Sequence, residues 1–239
     1  MFGLFGGKRK SILAGGLLSG AADNHSHVLY GVDDGVKTVE ESLSILKFME
    51  DAGVETLWLT PHVMEDVPNT TEDLKGRFAE LRTAYGGPVR LRLAAEYMMD
   101  TLFLERLRAR DLQLHGGDRV LMETSTWSPP IDLWAILEET LKAGYRPLIA
   151  HPERYRYMGM KDYERLNRMG CLMQLNLPSV VGVYGEEARD KAEALLAKGW
   201  YNMFGTDCHR FRALDGQVHA EALKSDVIAQ LEKLKKGSE

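Results

Sequence analysis

The chain has 239 residues, 44% hydrophobic and 27% charged, with 30 basic against 35 acidic side chains. That length suits one barrel-sized domain burying roughly 70–75% of its unfolded surface, and the composition excludes disorder and fibrous repeats. The net charge of −5 gives a nucleic-acid backbone no attraction, two cysteines (Cys171 and Cys208) are too few for a disulfide scaffold, and no uncharged apolar run reaches the ~18 residues of a membrane span.

The first 21 residues carry a basic cluster (Lys8, Arg9, Lys10) and then a short apolar patch, Ile12–Leu18, broken by two glycines. The patch is too short and interrupted for a secretory signal, so residues 1–21 read as a flexible or surface-lying tail. A weak membrane-surface contact through Phe2 and Phe5 is its other use. A first strand follows near Ala22–His25. Thr38 with Glu41 three places on makes a capping box, and Leu43, Leu46, Lys47 and Glu50 continue a two-faced helix to Ala52. Val54–Thr60 is an apolar strand closed by Pro61, and Thr71–Tyr85 is a helix with Leu74, Phe78 and Leu81 on one face. Strand Val89–Glu96, helix Leu102–Leu112, strand Arg119–Thr124, helix Leu133–Ala143, strand Pro147–His151, helix Tyr163–Met169 and strand Cys171–Asn176 repeat the unit. Helix Glu187–Lys198, strand Trp200–Thr206 and a closing helix from about Leu214 complete it. Seven strands alternating with helices predict a single α/β domain over residues 22–239, its parallel sheet closed as a barrel or doubly wound.

The histidines and acids collect at the carboxyl ends of these strands. Strand one ends in His25 and His27, strand two in His62, strand three in Glu96, strand four in Glu123, strand five in His151 and strand seven in Asp207 and His209. Strand six, ending at Asn176, lacks a strong ligand. In a closed α/β barrel those ends meet at one face. A carboxylate that closes an apolar strand, as in Leu121-Met122-Glu123, needs a charged partner. Imidazole and carboxylate donors without thiolate suit divalent Mn, Fe, Zn or Co. Eight ligands exceed what one ion needs, which predicts two or three ions and metal-assisted hydrolysis. His115, in a glycine-rich turn, and His219, in the last helix, receive no role.

Arg154 and Arg156 follow strand five, and Arg210 and Arg212 follow His209. Their planar donor forks suit phosphate oxygens. Neither cysteine has an arginine at the spacing a cysteine phosphatase requires, and no Gly-x-Ser-x-Gly elbow, phosphate-binding glycine loop or His-Glu-x-x-His motif is present. Hydroxide generated at a metal is then the best attacking group.

Seven segments occur in an order that identifies a family: Asn24-His25-Ser26-His27, Val32-Asp33-Asp34-Gly35, Thr60-Pro61-His62, Ala95-Glu96-Tyr97, Met122-Glu123-Thr124-Ser125, Ala150-His151-Pro152-Glu153-Arg154-Tyr155 and Gly205-Thr206-Asp207-Cys208-His209. Together they resemble the polymerase and histidinol phosphatase (PHP) superfamily. Within it they are similar to the manganese-dependent tyrosine-protein phosphatases of capsular and exopolysaccharide loci, the CpsB/YwqE type. The resemblance runs from about residue 22 to 212.

The resemblance implies a distorted seven-stranded, TIM-like β/α barrel with a cluster of two to three divalent ions, manganese first. One ion would take His25, His27, Glu96 and Asp207. A second would share Glu96 and use Glu123 and His151. A third would use Asp34, with Asp33 as the alternative, and His62 and His209. Arg154 matches the phosphate-binding arginine and joins Asp207 and His209 as catalytic residues. Where the family has Asp-Gly-Arg, this chain has Asp215-Gly216-Gln217, so Arg210 or Arg212 would serve as the second substrate-binding arginine. The implied activity is hydrolysis of phosphotyrosine by metal-bound hydroxide. The implied partner is the phosphorylated tail of a bacterial tyrosine kinase, met in the cytoplasm near the inner face of the membrane. Other readings are a small-molecule phosphatase of histidinol phosphate type, another phosphoesterase, a metal amidohydrolase and a non-catalytic metal-binding module.

Overall fold

Short apolar strands joined by amphipathic helices pair side by side through crossovers, which forces them parallel. The computed structural model describes residues 9–236. Its strands are β1 (Ala22–Asp23), β2 (Thr56–Leu59), β3 (His62–Val63), β4 (Arg90–Leu93), β5 (Glu96–Met98), β6 (Arg119–Glu123), β7 (Arg146–Ala150), β8 (Leu172–Asn176) and β9 (Met203–Gly205). The helices are α1 (Val39–Asp51), α2 (Thr71–Ala84), α3 (Thr101–Ala109), α4 (Leu133–Lys142), α5 (Met160–Arg168), α6 (Leu177–Val180), α7 (Glu186–Ala197), α8 (Phe211–His219) and α9 (Ser225–Lys236), with a 3₁₀ turn at Pro152–Arg154. Thr38 caps α1 by accepting from the Glu41 N–H, as its capping box predicts. No helix among the described residues is long and apolar enough to cross a membrane.

All ladders are parallel, in a three-stranded sheet of order β1-β2-β4 and a curled six-stranded half-barrel of order β3-β5-β6-β7-β8-β9. The second expected strand ends at its proline and is followed by a further short strand, and the third is broken in two. Between β2 and β3 stands Pro61, which has no N–H to give a ladder. Between β4 and β5 stand Ala94 and Ala95. Backbone bonds also join the end of β9 to the segment after β1: Asn24 N donates to Phe204 O (3.2 Å), Asp207 N to His25 O (2.8 Å) and His27 N to Cys208 O (2.9 Å).

Side chains alternate across a strand, so Leu121 and Glu123 share one face of β6. Leu121, Leu148, Ala150 and Met203 form a small inner cluster, while Met122, Ile149 and Leu57 join the main core with helix residues such as Ile45 and Phe103. The inner face therefore has an apolar floor, and polar groups stand at its carboxyl-terminal rim.

The expected tail is corrected over residues 9–21; Met1–Lys8, with Phe2 and Phe5, lie outside the described residues. Ile12, Leu17 and Leu18 are fully buried in the main core. Turn bonds from Gly15 N to Ser11 O and from Leu17 N to Ile12 O fold the segment back on itself, and Lys10 pairs antiparallel with Leu223. The glycines that interrupt the apolar patch are what let it fold compactly. The expected closing helix is likewise two helices, α8 and α9, separated at residues 220–224.

Candidate metal centre

The ladder register assembles the site. It sets His62 opposite Glu96 and Met98 opposite Glu123, so the residues that end neighbouring strands stand side by side. The β9–β1 closure adds Asp207 and His209 to His25 and His27. Two glycines make that approach possible. A Cβ on Gly205 would lie 2.4 Å from the His25 Cβ, and one on Gly35 would lie 2.5 Å from the His27 Cβ. His151 (φ 35°) and Asp207 (φ 54°) take left-handed backbone conformations that a side chain disfavours. Such strain gathers where the surrounding structure holds a functional geometry.

His25 Nε2 lies 3.2 Å from Glu96 Oε2 and 3.5 Å from Asp207 Oδ1. His27 Nε2 lies 3.3 and 3.4 Å from the same two oxygens, and the two imidazole nitrogens are 3.2 Å apart. His62 Nδ1 is 3.2 Å from Glu96 Oε2 and 3.1 Å from Glu123 Oε1, and His151 Nε2 is 3.1 Å from Glu96 Oε1. Asp34 Oδ1 lies 3.4 Å from His209 Nε2 and 3.6 Å from His62 Nε2. Donor atoms from His27, Asp34, His62 and His209 group together, as do those of His25, His27 and Glu96, and those of His62, Glu96 and Glu123. These groups overlap the sets the resemblance implies without reproducing them: His27, His62 and Glu96 each stand in two groups, while Asp207 and His151 reach the cluster through His25, His27 and Glu96.

The residues behind these donors fix which nitrogen faces inward. Gln174 Nε2 donates to the Asn24 carbonyl (2.9 Å), so its Oε1 accepts from His25 Nδ1 (2.7 Å). Asp33 Oδ2 accepts from His27 Nδ1 (2.7 Å), and Asp33 also takes the backbone N–H groups of His62 and Gly35. Both histidines therefore turn Nε2 toward Glu96 and Asp207, where it carries a proton in the absence of an ion and would offer its lone pair to a bound one. Burial works against the Asp33 charge, yet the His27 bond and field outweigh it and hold its pKa at about 2. Asp33 and Asp34 have separate tasks: Asp33 orients His27, and Asp34 faces His62 and His209.

The donor set fits divalent ions. Glu96 Oε2 is buried without a hydrogen bond although three imidazole nitrogens surround it. Donors bound at 2.0–2.2 Å to one ion stand about 3.0–3.5 Å from each other, which matches these spacings. From the protein's own charges, burial opposes protonation of His25, but Glu96 and Asp207 outweigh it and lift its pKa to about 9. Glu96 and Asp207 are buried too, and the histidines hold both well below the usual carboxylate range. The cluster is built to be compensated by positive charge.

Arg154 Nη1 donates to Asp207 Oδ2 (2.8 Å), and its guanidinium lies over the Tyr184 ring at 4.2 Å. The preceding Glu153 is buried. It accepts from Asn176 N, Ser179 Oγ and Tyr201 OH and so pins the 3₁₀ turn that carries Arg154. Arg210 instead donates to the Gly35 and His209 carbonyls. Arg212 is exposed on α8 and has no hydrogen bond or ion pair among the described residues. Cys208 is buried with its thiol pKa pushed up by burial, which agrees with a packing role. His115 is buried against Trp58, donates from Nε2 to the Asn24 carbonyl (2.9 Å), and has its pKa lowered by burial to about 3. His219 is exposed beside Asp215. Gln174 and Glu153 were absent from the sequence-derived site, and Asp33 stood there only as the alternative to Asp34, where the structure sets it behind His27.

Comparison with known proteins places this geometry. The family described as capsular polysaccharide synthesis, CpsB/CapC, matches residues 21–221. The tyrosine-protein phosphatase CpsB of Streptococcus agalactiae is 31% identical over 169 residues, 64% of this chain and 66% of that protein, so the match spans just under two thirds of that relative. CpsB of Streptococcus pneumoniae is 27% identical over 237 residues, 91% of this chain and 93% of that protein. A crystal structure from work on YwqE of Bacillus subtilis and CpsB of S. pneumoniae, described as metal-dependent tyrosine phosphatases, aligns with a TM-score of 0.77. That alignment has 21% identity and covers 89% of this chain and 86% of the other, so the two share a fold. The chain belongs to the CpsB/CapC family of capsular polysaccharide synthesis.

Proposed function

We propose that this protein is a metal-dependent tyrosine-protein phosphatase, a phosphoric monoester hydrolase that removes phosphate from phosphotyrosine in proteins. The observation that carries the reading is Glu96 Oε2, buried and unbonded among three imidazole nitrogens, with the Arg154 guanidinium reaching the same cluster through Asp207. His25, His27, Glu96 and Asp207 would hold one divalent ion. Glu96, Glu123 and His151 would hold a second, and Asp34, His62 and His209 a third. Bound ions supply Lewis acidity toward phosphoryl oxygens and acidify water at neutral pH. Asp33 and Gln174 hold the histidine rings in their ligating tautomers, and Arg154 offers its donor fork to the phosphate. In this reading the strands form one distorted seven-stranded barrel, in which β2 continues into β3 and β4 into β5. The names of the relatives support a role in capsular polysaccharide synthesis, and in this reading the substrate is the phosphorylated tail of a tyrosine kinase met at the cytoplasmic face of the membrane.

The test combines elemental analysis with phosphotyrosine-peptide hydrolysis on one sample. Two to three transition-metal ions per chain, with turnover abolished by chelation and restored by Mn²⁺, is the expected result. Full metal occupancy without phosphate release would overturn it.

A further inference from the structure

Beside the proposed metal centre lies a cavity of about 490 Å³. Thr126 and Arg156 line it from the loops after β6 and β7, and Val183, Tyr184 and Gly185 line it from the loop before α7. Arg154 lines it as well, so the cavity is continuous with the group that reaches Asp207. Tyr184 and Val183 are among the few large hydrophobic residues left exposed, at 37% and 48%. Trp127, at 69% exposure, lies next to Thr126 in sequence, and its ring is covered at 3.8 Å by the Arg156 guanidinium. Arg156 has no ion pair within 4 Å among the described residues; Glu187, which lines the same cavity with Glu186, feels its charge without bonding to it, so the edge of the Arg156 fork is left for a backbone carbonyl.

The loops that present these groups are held firmly. Arg156 N donates to Thr126 O (2.9 Å), Tyr155 OH lies 3.2 Å from Thr124 N, and the Tyr155 and Tyr157 rings stack. An exposed indole on a rigid loop costs solvation and contributes no packing of its own, which marks a contact surface. A bare phosphate or a small phosphate ester would fill only the Arg154 end of such a cavity.

We propose that the Trp127–Arg156 and Tyr184–Arg154 stacks form a substrate subsite that receives the polypeptide flanking the phosphotyrosine. The aromatic faces take an aromatic or aliphatic neighbouring side chain, and the Arg156 edge takes a backbone carbonyl. The inference rests on the phosphatase reading and adds a preference among phosphoproteins.

The test compares kcat/KM for a phosphotyrosine peptide with phenylalanine on both sides, for its alanine-flanked version, and for p-nitrophenyl phosphate. In the wild-type protein the phenylalanine peptide should be preferred over the alanine peptide by about tenfold, the size of one aromatic contact. Trp127→Ala should remove that preference and lower the ratio of peptide to p-nitrophenyl phosphate efficiency by a similar factor, and Arg156→Gln should lower the same ratio. The same flank dependence should appear in the Kd of a non-hydrolysable phosphonate peptide, read by fluorescence anisotropy. An unchanged ratio and preference in both variants would overturn the subsite and leave the phosphatase reading standing. A wild-type protein loaded with metal that hydrolyses none of the three esters would overturn both.

Discussion

Arg154 commits one edge of its guanidinium to Asp207 and one face to Tyr184, so it meets the cluster as a preset donor and not as a floppy surface cation. Arg154→Ala should lower phosphate monoester turnover by at least about 100-fold, the scale of a transition-state charge contact, while elemental analysis finds the metal content unchanged. Equal turnover in that variant would remove Arg154 from the reaction. Gln174 acts one step back. Gln174→Leu leaves His25 Nδ1 without its acceptor and should weaken metal affinity by about 10–100-fold. Turnover should return at raised Mn²⁺, whereas a variant inactive at any metal concentration would mean that Gln174 does more than orient the ring. The candidate donors were legible because they recur at strand ends. Gln174 was not, because an amide is a poor ligand and its partner His25 stands 149 residues away. Arg212 is near His209 in sequence, and the turn into α8 leaves it exposed to solvent.

The closure of β9 onto the segment after β1 is the element on which the candidate centre depends, and Gly205 is its tightest point. Gly205→Ala would set a methyl against the His25 backbone and Cβ, where no side-chain rotation relieves the clash. It should cost about 1–3 kcal/mol of stability and displace His25. A lower urea midpoint together with sub-stoichiometric metal would show both effects; wild-type metal content would mean that β9 can shift without disturbing the ligands. The alternation of strands and helices was readable, as was the cap at Thr38 and the strand end at Pro61. The short β3 beyond Pro61 and the break at Ala94-Ala95 were not, because an apolar pattern does not reveal where a sheet bends. The inward packing of Leu17 and Leu18 escaped for a related reason. Two leucines beside glycines have no period to read, and the backbone partners of their segment, Val218 for Leu13 and Leu223 for Lys10, come from the far end of the chain.

For the molecule as a whole, the buried cluster links pH, cations and stability. A histidine lifted from 6.5 to about 9 contributes stability that is complete below pH 6.5 and is lost as pH rises through 9. The chelated protein should therefore become less resistant to urea between those pH values, and divalent ions should reverse the trend, because a cation then replaces the proton and binds better as ligands deprotonate. A flat profile in chelator would mean that His25 does not carry that charge. The amino-terminal segment contributes to the same stability: Leu17→Ala should cost about 2–5 kcal/mol in the urea titration, and a negligible effect would restore the view of residues 9–21 as a tail. That segment meets the last helices at the end of the strands opposite the metal centre. Lys10 pairs with Leu223, Lys235 donates to the Gly16 and Ser19 carbonyls, and Gly20 and Lys235 share a cavity with Glu55, Arg90 and Arg119 at the strand starts. A bead or fusion partner attached at the end of α9 would hold the molecule by its base, with the donor cluster facing away from the tether and open to whatever approaches.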